Sequence, residues 1–344
     1  MPSSLQKGLH SVPKATTRKL PKDMTVHGLL AVDICRDTSP AFAKWLAVMP
    51  SREDVAASMP LLWPEPLQAL LPAPARRVLA TQQAKFATDW AHASAGFPEL
   101  ERGAYAHAWL LVNSRTFYHV TRRTQGRPHD DRMVMQPVAD LFNHDASSAG
   151  GGGDGGDSSS AGEGGGGPPC AVTFDAESYV FKTSRPYARG DEVLVSYGPH
   201  PNDLLLVEYG FCLADNRWDD CELDDQDVLA GLTTAERTRL EDVGFLGSYR
   251  LDATGPCFRT QVALRARGTA KRDFLRFVVE GEEDERLARA AGARLETLLD
   301  MSAQRVGRVL GEIEALAVGF ESQRLTLRDR WQQILALIQK ARAT

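Results

Sequence analysis

Between His144 and Cys170 the chain passes through an insert of Gly, Ser and Asp, and that insert limits what the rest can fold into. A segment of this composition cannot bury enough apolar surface to offset its ordering entropy, so it reads as a disordered surface loop. Any core must be built from the sequence on either side, and the insert must project outward from wherever His144 sits. Residues 151–157 contain a fragment of a calcium-binding Gly-Gly-x-Gly-x-Asp repeat. One degenerate copy lacks the neighbours such sites need in register, and low complexity is the better reading.

The two flanks differ in texture. Residues 39–112 read as helical, broken into short pieces by Pro60, Pro64, Pro66, Pro72 and Pro74 before a longer segment at 75–95. In that segment Val78, Leu79, Gln82, Phe86 and Trp90 recur at helical spacing and form one apolar face. A further helix at about 99–112 carries Tyr105, Trp109 and Val112 on one side, an aromatic stripe that reads as core. From Met133 the pattern turns to strand. Residues 133–135 lead into the Asp140–His144 turn, and 170–174 with 179–182 form a hairpin joined at 175–178. A turn at 189–192 feeds a strand at 193–196, and 202–209 reads as a short helix. Beyond about Asp225 the chain is mostly helical, with periodic segments at 233–243, 271–277, 283–299, 302–317 and 325–341. No cluster of nucleophile, base and acid stands out there.

With 344 residues the chain can bury one large core or two domains. Its net charge of −5 argues against a general nucleic-acid or anionic-membrane partner and suits a basic, lysine-bearing surface better. No run approaches the ~18 apolar residues of a membrane-crossing helix. Five cysteines, scattered and without a C-x-x-C pair, indicate neither a disulfide framework nor a Cys-rich zinc site, and fit a reducing compartment. Residues 1–22 carry Lys, Arg, Ser and Thr but no acid, faintly like an organelle transit segment, without its amphipathic stripe. An intracellular location, cytoplasmic or nuclear, is expected, with a chloroplast or other organelle as the alternative.

Four motifs carry chemistry: Asp140-Leu141-Phe142-Asn143-His144, then Val195-Ser196-Tyr197-Gly198, then Glu208-Tyr209-Gly210-Phe211, with Asn113-Ser114-Arg115-Thr116-Phe117 upstream. Singly, each has a plain structural reading. Asn143-His144 would be a polar turn, Tyr197 a strand end, Tyr209 a packing residue and Arg115 half of a surface ion pair. Asp140 and His144 also stand at ligand-like spacing if helical, and with Asp145 they could suggest a metal-dependent hydrolase. Pro137 before them and the glycines after them favour a turn instead, and no third-ligand motif follows. The remaining histidines considered (10, 27, 107, 119, 129 and 200) receive no role.

In this order, with the Gly-Asp-Glu turn ahead of Tyr197, the motifs resemble the SET-domain protein lysine methyltransferases. The Ser-Arg-x-Phe run and the helical second half resemble the branch that methylates Rubisco and aldolase. The likeness covers roughly residues 75–340 and is strongest at 113–212. It implies an α+β protein: a SET fold of short curled strands with a helical insertion and a pseudoknot, followed by an all-α substrate-binding domain. The implied divisions are an N-terminal remnant of the first SET strands at 1–38, the helical insertion at 39–112, a SET core at 113–224 with the insert at 146–168, and the helical domain at 225–344. It also implies S-adenosylmethionine as cofactor and a lysine of a protein as methyl acceptor, acted on by a monomer without metal, nucleic acid or membrane.

By the same resemblance, Tyr197 is the catalytic tyrosine and Tyr209 a second tyrosine lining the lysine channel. Asn143 and His144 hold the cofactor, Arg115 contacts cofactor or substrate, and Asp140 lies near the substrate lysine. A pseudoknot would bring residues 143 and 197 together. The chemistry suits these residue types. Free lysine has a pKa near 10.4, so supplying a neutral amine at physiological pH costs roughly 4 kcal/mol. Burial and a neighbouring positive sulfur both lower that pKa, while a tyrosine supplies an apolar wall and an orienting hydroxyl. The family's Gly-x-Gly segment on the first strands is missing from residues 1–50. That leaves two expectations: a chain truncated at its N-terminus or an incomplete site, the latter allowing a non-catalytic SET-derived binding module.

Overall fold

The computed structural model describes residues 6–146, 170–174 and 179–343. The insert expected to project outward, apart from Ala146, and the hairpin tip at 175–178 lie outside the described residues. The chain divides into two compact units, the first comprising Met1–Trp63, Ala75–His200 and Leu204–Asp215, the second Pro64–Pro74, Pro201–Asp203 and Asn216–Thr344.

The first unit is built on helices Val26–Arg36 and Arg102–Arg115, packed against each other with Ala73–Gly96 beside them. Thr25 starts the first of these, its hydroxyl accepting from Gly28 N–H at 2.8 Å and donating to Asp89 at 2.8 Å. Asp89 also accepts from the Trp109 indole at 2.9 Å, so one buried carboxylate ties three helices together. Trp109 is fully buried, stacked on His27 at 4.0 Å. The aromatic stripe is therefore core, as its spacing implied.

Three short strands form an antiparallel sheet in the order β1–β3–β2, where β1 is Lys7–Gly8, β2 is Thr116–Tyr118 and β3 is Met133–Met135. The expected hairpin forms between β4 (Cys170–Phe174) and β5 (Tyr179–Thr183).

The second unit has its own core and an antiparallel sheet of β6 (Asp220–Glu222), β7 (Arg250–Asp252) and β8 (Gly255–Pro256). Helix Thr234–Asp242 opens on a capping box between Thr233 and Glu236, and the long helices Glu285–Ala315 and Glu321–Ala343 lie against each other. Within this unit Arg330, with a side chain 0% exposed, donates to Asp203 and Asp219 at 2.7 Å each and to the Asp220 carbonyl at 3.0 Å.

Four expectations need correction. Residues 1–38, expected as a remnant of the first strands, supply the strand β1 but also a helix, Val26–Arg36, capped by Thr25. The segments 283–299 and 302–317 are one helix, Glu285–Ala315, because no Gly or Pro breaker separates them. The strand expected at 193–196 is reduced to a single bridge at Val195. The second unit, expected to be all helical, carries the three-stranded sheet just described.

Candidate active site

The pseudoknot contact is present in the first unit. His144 and Val195 form a parallel bridge, closed by Asp145 N–H donating to the Val195 carbonyl and Val195 N–H to the Asn143 carbonyl, both at 2.9 Å. Two segments some 53 positions apart in the chain are thereby placed side by side. Tyr197, two residues past the bridge, donates its hydroxyl to the Phe142 carbonyl at 2.6 Å and stacks its ring on His144 at 5.0 Å. Its N–H donates to His144 Nδ1 at 3.1 Å. His144 is 6% exposed, and burial holds its pKa below the usual histidine value, in keeping with a neutral ring whose Nδ1 accepts. The remaining proton then sits on Nε2, which is buried and has no partner among the described residues.

Tyr209 closes a second side. Its ring lies 5.0 Å from that of Tyr197, and Phe211 approaches Tyr197, Tyr209 and His144 at 6.2–6.4 Å. The turn that brings Phe211 back uses Gly210 at φ +82°, where a Cβ would fall 2.8 Å from Met59 Sδ. Burial raises the pKa of both tyrosines, that of Tyr209 to about 12, so both are neutral phenols near pH 7. Glu208 anchors the segment by accepting from Asn113 Nδ2 at 2.7 Å and Gln82 Nε2 at 3.2 Å, which ties the Tyr209 motif to the Asn113–Arg115 run.

Arg115 and Asp140 form the third side. Arg115 Nη1 donates to the Asp140 carbonyl at 2.5 Å, while its Nε is buried without a partner among the described residues. Asp140 is 5% exposed; its Oδ2 accepts from the Trp45 indole at 2.9 Å, and its Oδ1 has no partner among the described residues. Desolvation raises the Asp140 pKa, opposed by Trp45 and Arg115. The turn Ala139–Leu141 is a single short helical turn that ends at Phe142, so Asp140 and His144 do not share a helix face. The geometry that the metal-hydrolase reading needed is not formed.

Asn143 differs from its neighbours. Its side chain is exposed and donates to Glu192 at 2.6 Å, from the turn that precedes the Tyr197 segment. Thus Tyr197, Tyr209, His144, Arg115 and Asp140 are linked by bonds, ring contacts or charge, and Asn143 stands at their edge. Sequence reasoning missed Trp45, Glu192 and His200. Trp45 lies 95 positions from its partner, and no local pattern signals it. Glu192 belongs to the turn that was recognised, and His200 lies three residues beyond Tyr197.

No family model matches the chain. Among curated proteins it is 26% identical over 200 residues to ribosomal lysine N-methyltransferase set11 of Schizosaccharomyces pombe, covering 58% of this chain and 45% of that protein. It is 27% identical over 169 residues to SET domain-containing protein 4 of Mus musculus, covering 47% and 34%. To ribosomal lysine N-methyltransferase 2 of Saccharomyces cerevisiae it is 23% identical over 206 residues, covering 58% and 42%. The chain therefore spans less than half the length of these relatives. In structure it matches the SET domain of LSMT bound to lysine and AdoHcy with a TM-score of 0.56 at 14% identity, over 99% of this chain and 80% of that one. Rubisco LSMT bound to AdoMet matches with a TM-score of 0.54 at 14% identity, over 100% and 80%. The chain carries an α+β SET fold, and the proteins it resembles in sequence and in structure are those of the Rubisco LSMT-like branch of the SET-domain lysine methyltransferases.

Proposed function

We propose that this protein is an S-adenosylmethionine-dependent protein-lysine N-methyltransferase. The observation that carries the reading is the His144–Val195 bridge, which seats the Tyr197 phenol on the Asn143–His144 segment and beside Tyr209. A cluster of this kind meets the demands of methylating an amine. The walls formed by Tyr197, Tyr209 and Phe211 are aromatic and carry neutral hydroxyls, so they favour the neutral amine over the ammonium by excluding water. Tyr197 is held at both ends, by its hydroxyl on the Phe142 carbonyl and its N–H on His144, which fixes the ring that would orient the incoming nitrogen. Asp140 Oδ1 is an open, buried acceptor for an amine proton, kept in place by Trp45.

S-adenosylmethionine supplies an electrophilic methyl on a positive sulfur. The residues fit such a group in one specific respect: His144 Nε2 and Arg115 Nε are buried donors without partners among the described residues, the kind of polar atom a bound ligand satisfies. His144 and Arg115 would hold it, with Asn143 at the rim, its amide bonded to Glu192. The acceptor is a lysine on a protein. Two of the relatives are ribosomal lysine N-methyltransferases, which makes purified ribosomal proteins the first acceptors to assay. The five free cysteines support a reducing, intracellular setting.

The test is calorimetric titration with S-adenosylmethionine, followed by transfer of a labelled methyl group to ribosomal proteins, for the native chain and Tyr197→Phe. Micromolar binding by both proteins, with transfer lost only in the variant, supports the enzyme. Absence of binding by the folded native chain refutes it and leaves a protein-binding SET module.

A further inference from the structure

We propose that His200 is a positioning residue for the candidate centre, fixing the main chain at Tyr197 and the spacing between Tyr197 and Tyr209. The inference rests on the methyl-transfer reading for its kinetic consequence but on geometry for its substance. His200 Nε2 lies 3.0 Å from the Tyr197 carbonyl, and since a carbonyl can only accept, the imidazole donates there. The ring of the same histidine lies nearly parallel to that of Tyr209, with centroids 6.4 Å apart and planes 26° apart. One side chain thus touches both tyrosines, one through its backbone and the other through its face.

The opposite polar group of Tyr197 is also taken by an imidazole. Its N–H donates to His144 Nδ1 at 3.1 Å. Both main-chain groups of this residue are therefore satisfied by side chains of opposite role, where a regular strand would use a neighbouring ladder. The reduction of the expected strand to one bridge at Val195 is consistent with that substitution.

Gly198 is what permits the clasp. It stands at φ +131°, and His200 N–H returns to its carbonyl at 3.0 Å. A Cβ at this position would lie 2.5 Å from His200 Nε2, inside the space the imidazole needs to reach the Tyr197 carbonyl. The glycine is accounted for by the histidine two residues on.

A rotation of about 10° at the backbone moves a phenol hydroxyl by about 1 Å, and a misplacement of that order costs up to about 100-fold in rate. Holding the Tyr197 carbonyl therefore matters at the far end of its ring.

Two substitutions separate the contacts. His200→Gln keeps a donor of similar reach and removes the ring. His200→Phe keeps a ring and removes the donor. The protein is labelled with 3-fluorotyrosine, and the Tyr197 and Tyr209 resonances are assigned by Tyr197→Phe and Tyr209→Phe. His200→Phe is expected to move the Tyr197 resonance and leave that of Tyr209 near its native position, and His200→Gln to do the reverse. In methyl transfer, His200→Phe is expected to lower kcat about 10- to 100-fold with the dissociation constant for S-adenosylmethionine within about 2-fold, and His200→Gln to recover most of the loss. A Tyr197 resonance unmoved in His200→Phe overturns the inference, whatever the turnover. Equal loss of kcat in both variants together with lost cofactor binding also overturns it, showing a general structural role. If the native chain transfers no methyl group, the enzyme reading falls and the fluorine spectra still decide the positioning role.

Discussion

Replacing Arg330 with methionine tests the buried charge cluster of the second unit. The guanidinium is 0% exposed and faces two carboxylates, Asp203 at 3% and Asp219 at 8%. Removing one partner of a buried pair costs about 3–5 kcal/mol, because the remaining charge stays buried and uncompensated. Here two carboxylates and the Asp220 carbonyl lose their donor together, so the expected cost at pH 7.5 is in the upper half, about 4–5 kcal/mol. That is a large share of the roughly 5–15 kcal/mol of a typical domain. Burial raises the Asp203 pKa even with Arg330 beside it, and the raised value goes higher once the cation is gone. In the variant the native state then binds protons that the unfolded chain releases, so its stability rises as pH falls from 7.5 toward 5. The gap between variant and native protein narrows on acidification. Urea unfolding at both pH values, followed by amide exchange in helix Glu321–Ala343 so that the second unit reports by itself, measures it. A triple variant that adds Asp203→Asn and Asp219→Asn is expected to recover most of the loss. A cost below about 1 kcal/mol at pH 7.5, or a gap that widens at pH 5, refutes the reasoning.

Other expectations follow from the first unit. Trp45→Phe removes the donor to Asp140 Oδ2 beside an Oδ1 that has none among the described residues, and is expected to cost about 1–3 kcal/mol in urea unfolding and to move the acid limb of the methyl-transfer pH profile upward. Gly198→Ala, at φ +131° and against His200, is expected to cost about 1–3 kcal/mol and to lower turnover more than cofactor affinity. His27, buried on Trp109, has its pKa lowered from 6.5 to about 3, so the unfolded chain binds the extra proton between those values. Stability is expected to fall by about 2 kcal/mol between pH 6.5 and 5 from this group, a slope that thermal unfolding of His27→Phe should lack.

Much of the fold was legible because its helices obey the 3.6-residue period. The expected helix at 75–95 is Ala73–Gly96, and the short one at 202–209 is Asn202–Tyr209. Signals failed where elements were too short or too continuous to have one. β6 and β7 have three residues each and β8 two, below the length at which alternation shows. Around Leu299 and Ser302 the sequence has no breaker, and the chain simply continues as helix. At the site, Tyr197, Tyr209 and His144 could be named because their motifs follow in a recognisable order. Their closeness depends on a bridge that local pattern does not encode. Trp45 and His200 act on the centre by hydrogen bonds, one from a distant helix and one across a glycine whose φ of +131° is invisible in the sequence.

The bridge between His144 and Val195 also makes the alignment of the site a property of the main chain. Two backbone hydrogen bonds at 2.9 Å and the stack of Tyr197 on His144 close the ring from within the core. A substitution at position 195 that keeps both main-chain bonds therefore leaves Tyr197 in register with the Asn143–His144 segment. The side chain can be exchanged at such a seam while the backbone that aligns the centre stays in place.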